Sequence, residues 1–600
     1  MKKFELKVIL FLTILFYMTT TTSAATAASI SYNVSFPEAQ AHYADVEMKI
    51  TGLKQTSLEL KMPVWTPGSY LVREFAKNIE SLSVTAGGKN LPATKTRKNI
   101  WTVKTTGISA VTVTYRVYAF EISVRTSFID NKYAFLSSPD IFLYPGNMLN
   151  SPATIHIKPY KKWDKVTTSL EKINGDPFTC YSPNFDILFD SPIEVGNQEV
   201  FNFNVDGVAY EVAMTGGGTY DDERIKQDFT KIIREQVAIF GENPNKHYTF
   251  IVHNYLKGGG GLEHLSSTVL GASRDGYSTE KNYQSFLSLA SHEHFHLWNV
   301  KRLRPIVLGP FDYDNEAYTT NLWIAEGFTA YYQDVIVHRT KLYPTSNFLA
   351  LMGAQISNLE NQPGLKVQTL SASSYDAWIK AYRPNENSAN TGISYYTKGA
   401  LVGLLLDLEI INNSKGKYAL DDVMKYMYNE YYKVKKRGYT DAEFKLGLEK
   451  FAGKKLTDLY ADYINGLTPL PYNKYLAYAG YKITDSLATS NNAELGITRM
   501  DKVARLIVTG VTRGSAAWVD GINVNDEILT IDGVPVPEKG NLIPGKKPGD
   551  VVMVKLLRDG LTLNIPVTLL KSKRQSFKFE ELPNPTAEQL AVRKKWLKLD

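Results

Sequence analysis

The chain has 600 residues, 44% hydrophobic and 22% charged, with 41 Gly and 26 Pro. That is the composition of folded protein, not of a disordered, collagen-like or multi-span membrane chain. One cysteine, Cys180, excludes an intramolecular disulfide framework and any cysteine-rich zinc module, and nine histidines leave a short list for a metal or acid–base site. The formal charge of +7 is small for this length, and the densest basic cluster, Lys301, Arg302 and Arg304, is short, so nucleic acid is not an expected partner.

Residues 1–27 read as a signal peptide. Lys2, Lys3 and Lys7 precede the apolar run Val8–Met18, and small residues follow from Ser23 to Ala28. A bilayer core of about 30 Å needs about 20 apolar residues, more than this run supplies, so cleavage is expected in preference to an uncleaved anchor. The expected product has no stable membrane span and is exported, either periplasmic or secreted.

From 28 to 210 short β-type runs such as Ile30–Phe36, Ala44–Ile50, Leu58–Met62, Val111–Val117 and Val200–Val205 predict a β-rich domain. From 211 to 480 the pattern turns mostly helical. Tyr220–Phe240 puts Ile225, Phe229, Ile232, Ile233, Val237 and Phe240 on one face; a strand is predicted over His247–Asn254, and a loop over 465–482. Short β runs return over 481–572. Residues 573–600 read as a Pro-Asn-Pro break and a charged helical tail, Thr586–Leu599. The fold class is therefore multidomain α+β.

One third of the histidines fall in Ser291-His-Glu-His-Phe-His296. On a helix, positions i and i+4 share a face, so His292 and His296 can offer two imidazoles to one ion. Glu293, about 100° around, can reach a water there and take its proton, the H-E-x-x-H arrangement. His294 points elsewhere and reads as a packing residue. The third-histidine extension of the motif is absent, because Asn299 and Arg302 occupy those places. A downstream carboxylate is needed, and there are two candidates. Glu316 sits in a polar loop, whereas Glu326 sits in the apolar stretch Asn321–Tyr332, where an unpaired carboxylate would be costly and a metal would resolve the cost. Two further segments suit the same site. In Lys257-Gly-Gly-Gly-Gly-Leu-Glu-His264, Gly260 and Gly261 would let a substrate backbone approach, and Glu263 could accept a peptide's α-amine. In Ser394-Tyr-Tyr-Thr-Lys-Gly-Ala400, a tyrosine hydroxyl could donate to an oxyanion.

The strings His292–Pro305 (HEHFHLWNVKRLRP), Trp323–Tyr332 (WIAEGFTAYY) and Met62–Glu74 (MPVWTPGSYLVRE) together resemble the glycyl aminopeptidase family of zinc metallopeptidases. The resemblance covers most of the chain beyond the signal. It implies a thermolysin-like catalytic domain, one zinc ion per chain held by His292, His296 and Glu326, and Glu293 as base. More distant zinc aminopeptidases carry G-x-M-E-N and Y-x-K-G motifs. Gly260–His264 departs from the first, with Leu for Met and His for Asn, so the amine-binding role of Glu263 is an analogy. The Y-x-K-G register favours Tyr396 over Tyr395. Further on, Glu494-Leu-Gly-Ile-Thr498, Val511–Ala517 and Gly521–Val534 resemble a PDZ domain of bacterial proteases. There Leu495, Gly496 and Ile497 would offer backbone N–H groups to a peptide carboxylate while the peptide adds a strand.

These readings lead to an aminopeptidase that releases small N-terminal residues, Gly or Ala, from peptide substrates, with protein C-termini as possible partners of the PDZ module. An endopeptidase with the same zinc site is the nearest alternative, and a non-catalytic exported binding protein the remote one. Cys180 reads as an inert thiol.

Overall fold

The computed structural model describes residues 29–173, 175–502 and 505–599; the signal peptide expected at 1–27 lies outside them. The first body is β-layered. Its long sheet runs in the spatial order Glu171–Lys172, Thr179–Ser182, Ala153–Lys158, Ser29–Ser35, Tyr43–Thr51, Ala110–Tyr118, Ile79–Ala86, Lys89–Leu91. Strict alternation sets its register: Ile30, Tyr32 and Val34 face Ile50, Met48 and Val46 across one ladder, and all six are buried. Two four-stranded sheets pack against it, and Cys180 is buried in their common core, where burial pushes its thiol up to about 11.

The second body begins earlier than the sequence suggests. The hairpin Glu199–Val205/Val208–Thr215 pairs in parallel with His247–Tyr255, so it belongs to the following five-stranded sheet and not to the first body. Nothing in composition marks this boundary, because β residues continue on both sides of it. The amphipathic helix Asp222–Phe240 makes the crossover, with Ile225, Phe229, Ile232, Ile233 and Phe240 buried and Asp221 capping its start. His247–Tyr255 is buried on both faces. One face meets that helix, and on the other Val124 and Phe135 of the first body pack on Ile251, Leu262 and Val269. Gly261–Glu263 forms the sheet's edge, antiparallel to Ser267–Ser273.

Helices fill the rest of this body around Tyr395–Asn413, which is buried nearly all round. Within the expected loop at 465–482 lies a short helix, Tyr472–Leu476. The expected tail is part of the core. Phe577–Glu581 pairs with Tyr481–Asp485, and the helix Ala587–Leu597 buries Val592, Trp596 and Leu597, with Trp596 Nε1 donating to Tyr331 OH at 2.9 Å. Lys and Arg around that apolar stripe make the segment look solvated in sequence. The C-terminal β domain is thus inserted between two strands of the catalytic body. Its strands Ile497–Lys502, Arg505–Val511, Glu527–Ile531, Val551–Arg558 and Leu561–Thr568 enclose a core of their own. It touches the catalytic body at Asn390, which donates to Val511 O and accepts from Arg513 N, both at 2.8 Å. Among the described residues, no helix is long and apolar enough to cross a membrane.

Candidate active site

The helix Glu280–Phe295, capped at its start by Thr279, carries the histidine cluster into a cleft between the first body and the helices. His292 and His296 stand one turn apart with ring centroids 4.7 Å from each other. Glu326 comes from the segment Trp323–Phe328, a π-helical turn that leads into the helix Thr329–Arg339. Such a turn frees carbonyls from the regular ladder. Asn299 takes them up: its Nδ2 donates to Ile324 O at 3.0 Å and Ala325 O at 3.1 Å. The Asn299 main-chain oxygen in turn accepts from His296 Nδ1 at 2.6 Å, so one residue ties a histidine to the carboxylate segment.

Because Asn299 O can only accept, His296 carries its proton on Nδ1 and presents Nε2 to the cleft. His292 Nδ1 likewise donates to Gln333 Oε1 at 2.8 Å. The two Nε2 atoms lie 3.5 and 3.3 Å from Glu326 Oε2. Tetrahedral bonds of about 2.0–2.1 Å put ligand atoms about 3.3–3.4 Å apart, so this N, N, O set fits a zinc ion. Burial would raise the Glu326 carboxyl, but His296 and His292 outweigh it and hold the group below the usual carboxylate range.

Two more buried carboxylates face the same point. Glu293, Glu263 and His296 offer atoms within 4.8 Å of one another. Glu293 Oε2 and Glu263 Oε1 are buried without a hydrogen-bond partner, a costly state that a ligand would relieve. Burial raises the Glu293 carboxyl, with Glu263 and Glu326 adding to the effect and His292 and Arg125 opposing it. Both groups lie in cradles that only glycine allows. A Cβ on Gly261 would fall 2.3 Å from Glu293 Oε1, and one on Gly68 would fall 2.6 Å from Glu263 Oε1. Gly260 lies exposed at the mouth of the edge strand.

Tyr396 lies over His292, ring centroids 6.2 Å apart, and Tyr395 stacks behind it at 4.7 Å; both line the cleft. Their helix crosses the Glu326 segment at glycine contacts: a Cβ on Gly399 would sit 2.7 Å from Trp323 O. That accounts for the glycine in Tyr-Thr-Lys-Gly. The cleft volume is about 840 Å³, and residues 379–396 form its far wall.

The other sequence candidates lie elsewhere. His294 turns into the core, where its Nδ1 donates to Gln236 Oε1 and its Nε2 accepts from Tyr210 OH; burial lowers it to about 3. His264 turns the opposite way from Glu263 and meets Asp190 Oδ1 at 3.1 Å, beside Lys301 Nζ at 2.7 Å. Glu316 is exposed. Leu495, Gly496 and Ile497 belong to the inserted β domain and do not line the cleft. Sequence reasoning missed Gln333, Asn299, Gly68, Tyr382 and Arg125. Asn299 and Gly68 were within the motif strings, but nothing in the spacing assigned them a task. Arg125 comes from the first body and carries no local pattern at all.

Residues 31–197 match the Peptidase M61 N-terminal domain, 285–402 the M61 glycyl aminopeptidase family, and 493–569 a PDZ domain. Among solved structures, the chain is similar to an aminopeptidase N family protein from Idiomarina loihiensis, with 30% identity and a TM-score of 0.89 over 95% of this chain and 100% of that one. An M1 zinc metallopeptidase from Deinococcus radiodurans aligns at 12% identity and a TM-score of 0.47, covering 74% and 94%. Yeast LTA4 hydrolase aligns at 14% and 0.44, covering 75% and 70%. No curated protein matches.

Proposed function

The chain belongs to the M61 glycyl aminopeptidase family, and on that premise we propose that it is an exported zinc aminopeptidase that removes small N-terminal residues, Gly or Ala, from peptides. It is a peptidase by family; the metal, the exo-mode and the residue preference are our reading. The observation that carries it is the convergence of His292, His296 and Glu326 with the unpartnered buried oxygens of Glu293 and Glu263 on one cleft.

Zinc, when bound by the three ligands, supplies Lewis acidity to the scissile carbonyl and the attacking water. Glu293 takes the proton of that water and delivers it to the leaving amine. Tyr396 donates a hydrogen bond to the developing oxyanion. Glu263 accepts the substrate's α-ammonium and so counts one residue from the chain end, with Gly68 leaving room for its carboxylate. The edge strand Gly261–Glu263 gives the substrate backbone a surface to lie on. In the inserted β domain, Ile497–Lys502 is also an edge strand, which suits capture of a protein C-terminus beside Leu495–Ile497. The basic and apolar N-terminal segment supports export.

Glu293→Gln tests the base. It should retain stoichiometric zinc by metal analysis and lose about 10²–10⁴-fold in kcat. Unchanged peptide hydrolysis, or purified wild type without zinc, would refute the reading.

A further inference from the structure

Among the described residues, Arg125 is the cation of the first body that lines the cleft beside the base. It is held from behind. Val124 packs into the interface with Ile251, Leu262 and Val269, and Ser137 Oγ donates to Arg125 O at 3.2 Å. Among the described residues its side chain makes one hydrogen bond, from Nη2 to Gly261 O at 2.9 Å, and Nε is buried with no partner. A guanidinium has five N–H donors, so most of its capacity is free. Glu293, Glu263, Tyr382 and Tyr396 face it, and Arg73 of the first body lies near enough to repel it.

The position along the edge strand gives that capacity a direction. Glu263 marks one end, where the ammonium of a substrate belongs. Glu293 lies against Gly261, and Arg125 grips the Gly261 carbonyl, with Nη1 3.9 Å from the place of a Gly260 Cβ. Residues two apart on a strand are separated by about 6.6–6.8 Å. An extended dipeptide spans a similar length from amine to carboxylate, at about 3.3–3.6 Å per residue. By holding Gly261 O, Arg125 also occupies the acceptor a longer substrate would need to continue the ladder.

We propose that Arg125 receives the carboxylate of the residue following the scissile bond, so that short peptides with a free C-terminus, dipeptides first, are the favoured substrates. The planar fork suits a carboxylate, and the charge-assisted bond favours it over a carbonyl or amide. This rests on the exopeptidase reading, with the amine at Glu263.

The test compares Gly-Ala with Gly-Ala-amide on the zinc-loaded full chain. Wild type should favour the free acid about tenfold or more in kcat/KM, in line with a hydrogen bond to a charged group. Arg125→Gln keeps a donor for Gly261 O and should bring the ratio close to one, and Arg125→Lys should retain part of it. A purely structural Arg125 would lower both substrates together and leave the ratio unchanged, which would overturn the assignment, as would a wild-type ratio near one. If wild type cleaves neither free-amine peptide but does cleave N-acetylated ones, the exopeptidase reading falls and this inference with it.

Discussion

Two buried polar clusters meet the same edge strand from opposite sides, and they are finished differently. Glu263 and His264 are neighbours, so the pleat sends one side chain to the cleft and the other away from it. On the far side Asp190 has both oxygens occupied, by Lys301 and His264 on one and by the Leu265 N–H on the other. Burial would raise its carboxyl, but Lys301 and then His264 outweigh it and keep the group below the usual range. On the cleft side Glu263 and Glu293 each leave an oxygen without a partner. His264 Nε2 on the far side is also left without a partner, so the contrast lies in the carboxylates: Asp190, with both oxygens taken, joins the first body to the catalytic body, whereas Glu263 and Glu293 are set for a ligand. At the position of the departure, His264 turns away from the cleft and meets Asp190 of the first body.

Asp190→Ala should separate the two most sharply. It strands Lys301 in a buried site, and loss of one partner of such a pair costs about 3–5 kcal/mol, read as a lower midpoint in chemical denaturation. A midpoint unchanged from wild type would remove the contrast. Gly261→Ala acts on the other side. Its Cβ would displace the Glu293 carboxylate, and a misplacement of about 1 Å costs about 10²-fold in kcat/KM with zinc content unchanged. Glu263→Gln should cost about 10–100-fold toward free-amine peptides, the worth of a hydrogen bond to a charged group, with thermal stability equal to or above wild type because a like charge near Glu293 is gone.

Taken per pH unit, the smallest expected effect is a stability slope. Burial lowers the His294 imidazole to about 3 in the folded protein, against about 6.5 for a histidine in the unfolded chain. Below that pH the unfolded chain binds a proton the folded chain refuses, so stability falls as pH drops from 6.5 toward 3. His294→Gln should flatten that fall by about 1.4 kcal/mol per pH unit in unfolding of the metal-free protein. An unaltered slope would mean that His294 is not held neutral.

Much of the site could be read from sequence because helix periodicity and motif order are local. The spacing of His292 and His296, the apolar setting of Glu326, and the order of the three motif strings needed no tertiary knowledge. The helix over Asp222–Phe240 followed from its apolar face. What escaped depends on long-range packing. The hairpin at 199–215 is ordinary β sequence whose allegiance is set by its partner strand. Trp596 looks like part of a basic tail until Tyr331 and the core receive it. Gly68, Asn299 and Arg125 matter through contacts with residues 195, 25–26 and 136 positions away, respectively, and no periodicity encodes those.

The most direct measurement is cleavage of a glycyl peptide and its N-acetylated form by the full chain, each with and without a chelator. The account predicts rapid release of glycine from the free peptide, none from the blocked one, and loss of activity on chelation that added zinc restores. Equal cleavage of both forms, or activity indifferent to the chelator, would contradict it.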